Sequence, residues 1–217
     1  MKKNNDHTAI SKWINSIEEG QIRSLSQAIT LLESTRVEDQ NRAQNLLEGA
    51  LERLNKTSPT PTIRIGVSGP PGVGKSSYIE SLGMHLLSLG FRVCVLAVDP
   101  SSRVSGGSIL GDKTRMERLS TQVNAFIRPS PSQQVLGGVT HATQSIMSLC
   151  ELAGYTVILI ETVGIGQSEG AVADMVDCFV LLNQPGSGDE LQGIKRGILE
   201  FADILLVNKM DGATKYL

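Results

Sequence analysis

The chain has 217 residues, of which 40% are hydrophobic and 19% are charged, and this composition allows one main domain with a packed core and a small appendage. A formal net charge of −2 and an aromatic content of 4% argue against a nucleic-acid partner, which would need a basic surface or stacking platforms. No apolar run approaches the roughly 20 residues of a membrane helix, and no apolar stretch follows the N-terminal lysines, so neither a membrane partner nor a secretory signal is predicted.

Residues 1–58 are predicted to form a helical segment of their own. They contain few glycines, and apolar residues such as Leu47 and Leu51 recur at helical spacing. Residues 55–61 predict a linker, because two prolines and small polar residues cannot extend a helix. Two domains follow from this pattern, an N-terminal helical segment and a second domain over residues 62–217.

Strand-like and helix-like runs alternate in the second domain. The strand candidates are apolar nearly throughout, as strands buried on both faces of a parallel sheet are. They are residues 62–68, 92–99, 125–129, 156–163, 178–183 and 203–208. A helix is expected over residues 76–89, with Gly90 as its C-cap. The alternation predicts an α/β fold with a mostly parallel sheet and helices on both faces, in which ligands lie at the carboxyl ends of the strands.

The three cysteines are widely spaced, and no pair has the spacing of a metal-binding knuckle. Cys94 and Cys178 lie in strand-like runs, and Cys150 ends a helical one. We therefore expect buried, reduced thiols, which are typical of a cytoplasmic protein.

A complete phosphate-binding loop follows the first strand candidate. Its pattern is Gly69, four residues, and then Gly74, Lys75 and Ser76. Glycines let the backbone wrap round phosphates, and backbone N–H groups at a helix N-terminus face the anion. Lys75 can reach the β- and γ-phosphates, and the Ser76 hydroxyl can ligate Mg²⁺. A plain Gly/Pro turn is the alternative, but it leaves the agreement of all fixed positions and both flanks unexplained.

Two further strand candidates end in acids. Asp99 ends the second candidate, and a loop rich in Gly and Ser with Asp112 follows it. Asp99 can position Mg²⁺ or its waters, or it can cap a turn ahead of a proline. The loop can be a switch that a γ-phosphate orders. The fourth candidate runs into Glu161-Thr162-Val163-Gly164, which resembles a Walker-B acid and a second switch whose Gly164 amide bonds the γ-phosphate.

The last strand candidate runs into Asn208-Lys209-Met210-Asp211. Asn-Lys-x-Asp is the guanine-specificity element of GTPases. The Asp211 carboxylate can accept hydrogen bonds from N1–H and the 2-amino group of guanine, whereas adenine offers no matching donors. GTP is therefore favoured over ATP.

Together these segments resemble one family, the chaperone GTPases of adenosylcobalamin-dependent mutases, which includes MeaB and the proteins once called ArgK. The matching stretches spread over nearly all of residues 62–212 and include GPPGVGKSS, SGGSILGDKTRM, ETVGIGQSE, PGSGDELQGIK and NKMDG. Other P-loop GTPases lack SGGSILGDKTRM and GDELQGIK, so the resemblance is specific.

The resemblance implies a Mg²⁺-dependent P-loop GTPase that converts GTP to GDP and phosphate. It implies Lys75, Asp99, Asp112 and Glu161 as catalytic residues, with the three acids and Ser76 as metal ligands. The nucleotide-binding residues that it implies are Gly69, Pro70, Pro71, Gly72, Val73, Gly74, Lys75, Ser76, Ser77, Gly164, Asn208, Lys209 and Asp211.

The resemblance also implies partners. A mutase of the methylmalonyl-CoA mutase type would be bound and protected, and cofactor delivery from an adenosyltransferase would be gated. On chemistry alone residues 183–197 form a loop and a solvated helix start, but they resemble a third switch at the partner interface, with Asp189, Glu190 and Lys195 as its charged residues. The family continues beyond Leu217 with a base-contacting loop and a dimerisation arm. We therefore expect a homodimer for the full-length protein, and weakened guanine binding and dimerisation for this form.

Departures from the family pattern are Arg103, where a proline is frequent, and Gln144-Ser145, where Arg-Glu is frequent. Three alternatives stay open. An ATP-dependent kinase or transport-associated ATPase, as the ArgK label suggests, would prefer ATP. A nickel-insertion GTPase would carry His-rich tracts or paired cysteines near its switches. A binding module with a structural nucleotide would lose stability, but not partner release, without Lys75.

Overall fold

A computed structural model gives the fold of the chain and describes most of its length. The described residues are 2–57, 61–99, 116–131, 136–162, 169–185 and 197–211. The chain divides into two compact units. One comprises Met1–Thr62 and His141–Thr156, and the other comprises Ile63–Thr140 and Val157–Leu217.

Three helices begin the first unit: α1 (Lys2–Glu18), α2 (Ile22–Leu32) and α3 (Val37–Thr57). Each buries the apolar stripe that its sequence predicts. The buried residues include Ile14, Ile17, Leu25, Ala28, Ile29, Leu46 and Ala50. One expectation was wrong, because α3 continues to Thr57 and takes in the first part of the predicted linker. Thr57, the last residue of α3, lies two positions before Pro59, and a proline disfavours helical backbone in the residue that precedes it.

The remaining elements alternate as the sequence predicts. They are β1 (Ile63–Ser68), α4 (Lys75–Ser88), β2 (Val93–Asp99), α5 (Glu117–Ser120), β3 (Ala125–Pro131), α6 (Leu136–Leu152), β4 (Val157–Glu161), α7 (Glu169–Ala173), β5 (Cys178–Asn183), α8 (Gly197–Glu200) and β6 (Ile204–Val207). The helix α4 ends as expected, with Gly90 at a φ of 87°. The Gly90 N–H donates to the Leu87 carbonyl and the Phe91 N–H to the Leu86 carbonyl, which is a Schellman cap.

The six described strands form one sheet in the order β3-β2-β4-β1-β5-β6, and every pairing is parallel. The α/β fold class is therefore confirmed. From β1 the chain crosses to one side, to β2, and from β4 it crosses to the other side, to β5. The carboxyl ends of β1 and β4 thus lie at the point where the winding reverses, which is where open α/β sheets bind ligands.

The core of the second unit lies between α4 and the sheet. Its apolar members include Val67, Val73, Ile79, Val95, Met116, Leu119, Leu159 and Val180. The helices α4 and α5 approach closely at Gly83, where an added Cβ would lie 2.8 Å from Leu119 Cδ2 and would displace that side chain. Glu80 Oε1 on α4 accepts a 2.7 Å hydrogen bond from the Arg118 N–H at the start of α5. These contacts hold α5 against α4.

Two aspartates set the register of β5 and β6. Asp177 Oδ2 accepts from the Arg64 N–H at 2.8 Å, and the Asp177 N–H donates to the Arg64 carbonyl at 2.9 Å. Asp203 repeats this pattern with Phe179, at 2.7 Å and 2.9 Å. Each aspartate therefore satisfies both backbone groups of one residue on the neighbouring strand.

The edge strand β6 differs from the expectation of strands buried on both faces. Ile204, Leu205 and Val207 are about half exposed. Within the described part of the chain β6 pairs with β5 alone. An apolar run predicts a strand, but it does not distinguish a central strand from an edge.

Cys94 and Cys150 are buried and not in disulfides, as expected, whereas Cys178 is only partly buried. In the ranges that the structure describes, no helix combines the length and the apolarity needed to cross a membrane.

Candidate nucleotide-binding site

The predicted phosphate loop connects β1 to α4 and depends on two glycines. Gly69 has a φ of 146° and Gly74 a φ of 99°. A Cβ on Gly69 would lie 2.4 Å from the Leu182 carbonyl oxygen, and a Cβ on Gly74 would lie 2.6 Å from Asn208 Nδ2. At Gly69 the backbone conformation and the neighbouring backbone both exclude a side chain, whereas at Gly74 the conformation is unfavourable for one and the Asn208 side chain would have to move.

Lys75 is the first residue of α4 and is only 9% exposed. Its Nζ atom donates to the Gly69 carbonyl at 2.7 Å and to the Pro70 carbonyl at 3.1 Å. The ammonium group is therefore held over its own loop, at the N-terminus of a helix. That end of a helix attracts anions, because its first N–H groups have no partner within the helix.

Ser76, at the end of the phosphate loop, is in contact with Glu161, at the end of β4. The Ser76 hydroxyl donates to Glu161 Oε1 at 2.8 Å, although 85 residues separate the two positions along the chain. Hydroxyl and carboxylate oxygens are hard ligands of the kind that Mg²⁺ takes, with phosphate and water oxygens in its other positions. This pair therefore fits the predicted metal, although no group of three or more His, Cys, Asp or Glu side chains that could hold an ion occurs among the described residues.

The other predicted acids are only partly accounted for. Asp99 ends β2, where its backbone pairs with Pro131, and on the same strand Ala97 pairs with Glu161. The Asp99 side chain is outside what the structure describes. Several predicted residues lie wholly outside the described ranges: Asp112, Gly164, Asp189, Glu190 and Lys195.

The guanine motif at the end of β6 is hydrogen-bonded to the phosphate loop. Asn208 Nδ2 donates to the Val73 carbonyl at 2.8 Å, and Lys209 Nζ donates to the Gly72 carbonyl at 2.7 Å. Lys209 has a φ of 58°, which turns the chain at that point. Asp211 is exposed. Two motifs far apart in sequence are thus brought together.

The other predicted residues of the phosphate loop differ in their burial. Val73 is buried in the core of the second unit, whereas Pro71 and Ser77 are exposed, as is Gly72.

Sequence reasoning missed Asn183, which supports the guanine motif. Asn183 ends β5 and is 5% exposed. Its carbonyl accepts from the Asn208 N–H at 2.7 Å, and its side-chain oxygen accepts from the Gln184 N–H at 2.9 Å. The sequence signal that could have found Asn183 is an amide side chain at the end of an apolar strand.

Ser68 and Thr162 were missed as well. Ser68 ends β1 immediately before the phosphate loop, and Thr162 follows Glu161; each is 1% exposed. The Thr162 hydroxyl donates to Ser68 Oγ at 2.8 Å. Hydroxyl residues at the ends of apolar strands were again the only signal.

A tyrosine and a cysteine in this unit are held in their protonated forms. Burial raises the pKa of Tyr78 on α4, and Cys178 adds to the effect. Burial likewise raises the pKa of Cys178 above its ordinary value, with a further contribution from Asp203. Neither group is therefore suited to act as an anionic nucleophile near neutral pH.

Comparison with known proteins gives a consistent result. The family model described as methylmalonyl Co-A mutase-associated GTPase MeaB matches residues 25–216. A Mycobacterium bovis protein named Probable GTPase is 54% identical over 212 residues, which are 98% of this chain and 62% of that protein. The Mus musculus protein named Methylmalonic aciduria type A homolog, mitochondrial, is 54% identical over 208 residues, which are 94% of this chain and 50% of that protein. The chain therefore spans between a half and two thirds of the length of these relatives.

A solved structure described as LAO/AO transport system kinase has the same fold. It superposes with a TM-score of 0.76 at 38% identity, and the match covers 96% of this chain and 59% of that one.

Proposed function

Because this chain belongs to the family of methylmalonyl-CoA mutase-associated GTPases, MeaB, we propose that it binds guanine nucleotides and hydrolyses GTP to GDP and phosphate with Mg²⁺. One observation carries the proposal: the guanine motif is hydrogen-bonded to the phosphate loop through Asn208 and Lys209. A nucleotide held by that loop would have its base within reach of the next residue with base-reading chemistry, Asp211.

Lys75 is the proposed cation for the β- and γ-phosphates. Phosphate oxygens would compete with the Gly69 and Pro70 carbonyls for its ammonium protons. Phosphoryl transfer needs little covalent chemistry from the protein, so that catalysis is mainly positioning and charge stabilisation. A lysine held by backbone carbonyls is already ordered for this role.

Ser76 and Glu161 are the residues proposed to hold Mg²⁺, and Asp99 and Asp112 are proposed to complete the set. Bound there, the ion would neutralise charge that develops on the phosphates. The protein's own part is to hold the two oxygen ligands together. A switch carboxylate, Asp99 or Asp112, is proposed to orient the attacking water, and the Gly164 amide to sense the γ-phosphate.

The proposed partner is an adenosylcobalamin-dependent mutase of the methylmalonyl-CoA mutase type. The family description and the name of the mouse relative support this choice. Gated cofactor delivery from an adenosyltransferase, a third switch with Asp189, Glu190 and Lys195, and a homodimeric full-length protein belong to the same proposal. We also propose a cytoplasmic location for the protein and a division of the chain into two domains, residues 1–58 and 62–217.

The first experiment is calorimetric binding of GDP, a non-hydrolysable GTP analogue and ADP, each with Mg²⁺. We expect guanine-selective binding by the wild type. In Lys75→Ala we expect GDP affinity to fall by at least about tenfold, because a hydrogen bond to a charged group contributes roughly 1.5–3 kcal/mol. Lys56→Ala is the matched control, since that side chain is 74% exposed on α3 and should leave binding unchanged.

A second candidate function, an ATP-dependent kinase, is favoured by one observation, the description of the 38% identical structure as a transport system kinase. The same titration decides between the two. ADP binding equal to or tighter than GDP binding would contradict the guanine assignment and support the kinase.

The chaperone role needs its own test. We expect the chain to co-elute with a cobalamin-free mutase of the methylmalonyl-CoA mutase type in a manner that depends on whether GDP or the GTP analogue is present. Failure to co-elute in either state would contradict the proposed partner and leave the GTPase proposal standing.

A further inference from the structure

Ser68 and Thr162 form a buried pair of hydroxyl groups at the carboxyl ends of β1 and β4. The function proposed above assigns no role to this pair. Thr162 Oγ1 donates to Ser68 Oγ at 2.8 Å, and both residues are 1% exposed. The backbone reinforces the contact, since the Thr162 N–H donates to the Val67 carbonyl at 3.0 Å. Burying a hydroxyl without a hydrogen bond is unfavourable, so this contact imposes a distance and a direction that two apolar side chains would not.

The pair lies at a particular place relative to the phosphate loop. Ser68 immediately precedes Gly69, the first residue of that loop, while Ser76 immediately follows Lys75. Glu161 accepts from Ser76 at 2.8 Å, and the next residue, Thr162, donates to Ser68. Two consecutive residues at the end of β4 are therefore hydrogen-bonded to the two ends of the loop.

Loss of the hydroxyl pair would release one of these two attachments. The strands would still pair, because Val67 and Glu161 are partners in the parallel register of β1 and β4. The peptide between Glu161 and Thr162 would lose the side-chain contact that fixes its position against β1. A carboxylate that must meet a metal ion depends on that kind of support, because outer contacts orient the ligands of a metal.

We propose that Ser68 and Thr162 are positioning residues, which hold the Glu161 carboxylate where it can support Mg²⁺ beside Ser76. The inference rests on the proposed function, because it assumes that Mg²⁺ tightens nucleotide binding at this site. It assigns no direct contact with nucleotide or metal to either hydroxyl.

The test measures the affinity of a fluorescent GDP analogue across a Mg²⁺ titration and in EDTA, together with the thermal unfolding midpoint. Thr162→Val keeps the shape of the side chain and removes the hydroxyl, Ser68→Ala removes its acceptor, and Thr162→Ser retains the hydroxyl. We expect Thr162→Val and Ser68→Ala to raise the Mg²⁺ concentration for half-maximal tightening on the order of tenfold, the lower end of the effect of losing a residue that orients a metal ligand. Affinity in EDTA should stay unchanged, and Thr162→Ser should behave as the wild type.

The double variant separates positioning from stability. A single substitution leaves one buried hydroxyl without its partner, whereas the double substitution removes both, so that the unfolding midpoint should recover in the double variant. The response to Mg²⁺ should remain weakened. Recovery of both properties together would overturn the proposal, and the double variant also keeps the test valid if a single variant fails to fold.

A matched control is Thr143→Val. Thr143 is another buried threonine, 5% exposed, and it belongs to the first unit. It should change the unfolding midpoint without changing the Mg²⁺ response. If Thr162→Val weakens binding in EDTA as much as in Mg²⁺, the pair is only structural and the proposal is wrong. A wild type that binds no guanine nucleotide, or binds it without regard to Mg²⁺, instead contradicts the proposed function itself.

Discussion

Single residues of the phosphate loop are constrained to very different degrees. Gly69 and Gly72 both have positive φ angles, 146° and 77°. A Cβ on Gly69 would meet the Leu182 carbonyl at 2.4 Å, whereas a Cβ on Gly72 would meet nothing within 4 Å. A side chain at Gly72 would therefore meet backbone strain alone, whereas a side chain at Gly69 would meet strain and a steric clash.

We expect Gly69→Ala to be much more damaging than Gly72→Ala. Gly72→Ala carries the strain of a left-handed backbone, about 1–2 kcal/mol, and should retain GDP binding. Gly69→Ala adds a backbone clash that forces β1 and β5 apart at their carboxyl ends, and GDP binding should be lost. Urea unfolding and calorimetry of the two variants check this, and equal losses in both would contradict the steric argument.

The residue scale also shows what the sequence could predict. Lys75, Ser76 and the loop glycines lie within a short stretch whose spacing is itself the signal, so the loop was predicted, although the hydrogen bonds of Lys75 to its carbonyls were not. The family resemblance implied Ser76 and Glu161 as ligands of one metal, but their hydrogen bond, which spans 85 residues, was not itself predicted. The Ser68–Thr162 pair could not be predicted, because a hydroxyl at the end of an apolar strand has no spacing that points to its partner.

At the scale of elements, the turn after β6 is hydrogen-bonded to the phosphate loop, and it is also the segment proposed to read the base. Asn208 binds Val73 through its side chain and Asn183 through its backbone N–H, so it connects the loop to β5. Asp211, by contrast, is exposed. The motif thus contains one residue that shapes the site and one that is proposed to read the base.

We expect the two substitutions to have different effects on selectivity. Asn208→Ala should weaken GDP and ADP by a similar, severalfold amount, since a hydrogen bond contributes about 0.5–1.5 kcal/mol. Asp211→Ala should weaken GDP strongly and ADP little, because only guanine offers donors to the carboxylate. Competition binding with both nucleotides measures this, with the exposed Asp174→Ala as the control.

A selective loss of GDP binding in Asn208→Ala, with ADP binding unchanged, would show that Asn208 reads the base rather than shaping the loop.

The position of an element in the sheet also limits what its sequence can predict. The strand β6 was predicted from its apolar run, but its exposure depends on its place at the edge of the sheet. The aspartates that fix β5 and β6 act across strands, on Arg64 and Phe179, and only the folded sheet identifies those partners.

At the scale of the whole molecule, the described site residues belong to one of two units. The phosphate loop, Glu161 and the guanine motif all lie in the unit formed by Ile63–Thr140 and Val157–Leu217. The helices α1, α2 and α3 belong to the other unit and contribute no side chain to the contacts described for the site. Nucleotide binding should therefore stabilise the molecule unevenly.

We expect GDP with Mg²⁺, at about a hundred times its Kd, to stabilise the folded chain by about 2.7 kcal/mol through mass action. Hydrogen exchange should slow most around the phosphate loop, the end of β4 and residues 208–211, where the ligand would limit local opening. Exchange in α1 to α3 should change least. Lys75→Ala should reduce both effects at the same GDP concentration, with the stabilisation falling to about 1.4 kcal/mol for a tenfold loss of affinity and further for a larger loss. Equal protection of both units would contradict a site confined to the second unit, because it would mean that nucleotide binding restrains the two units together.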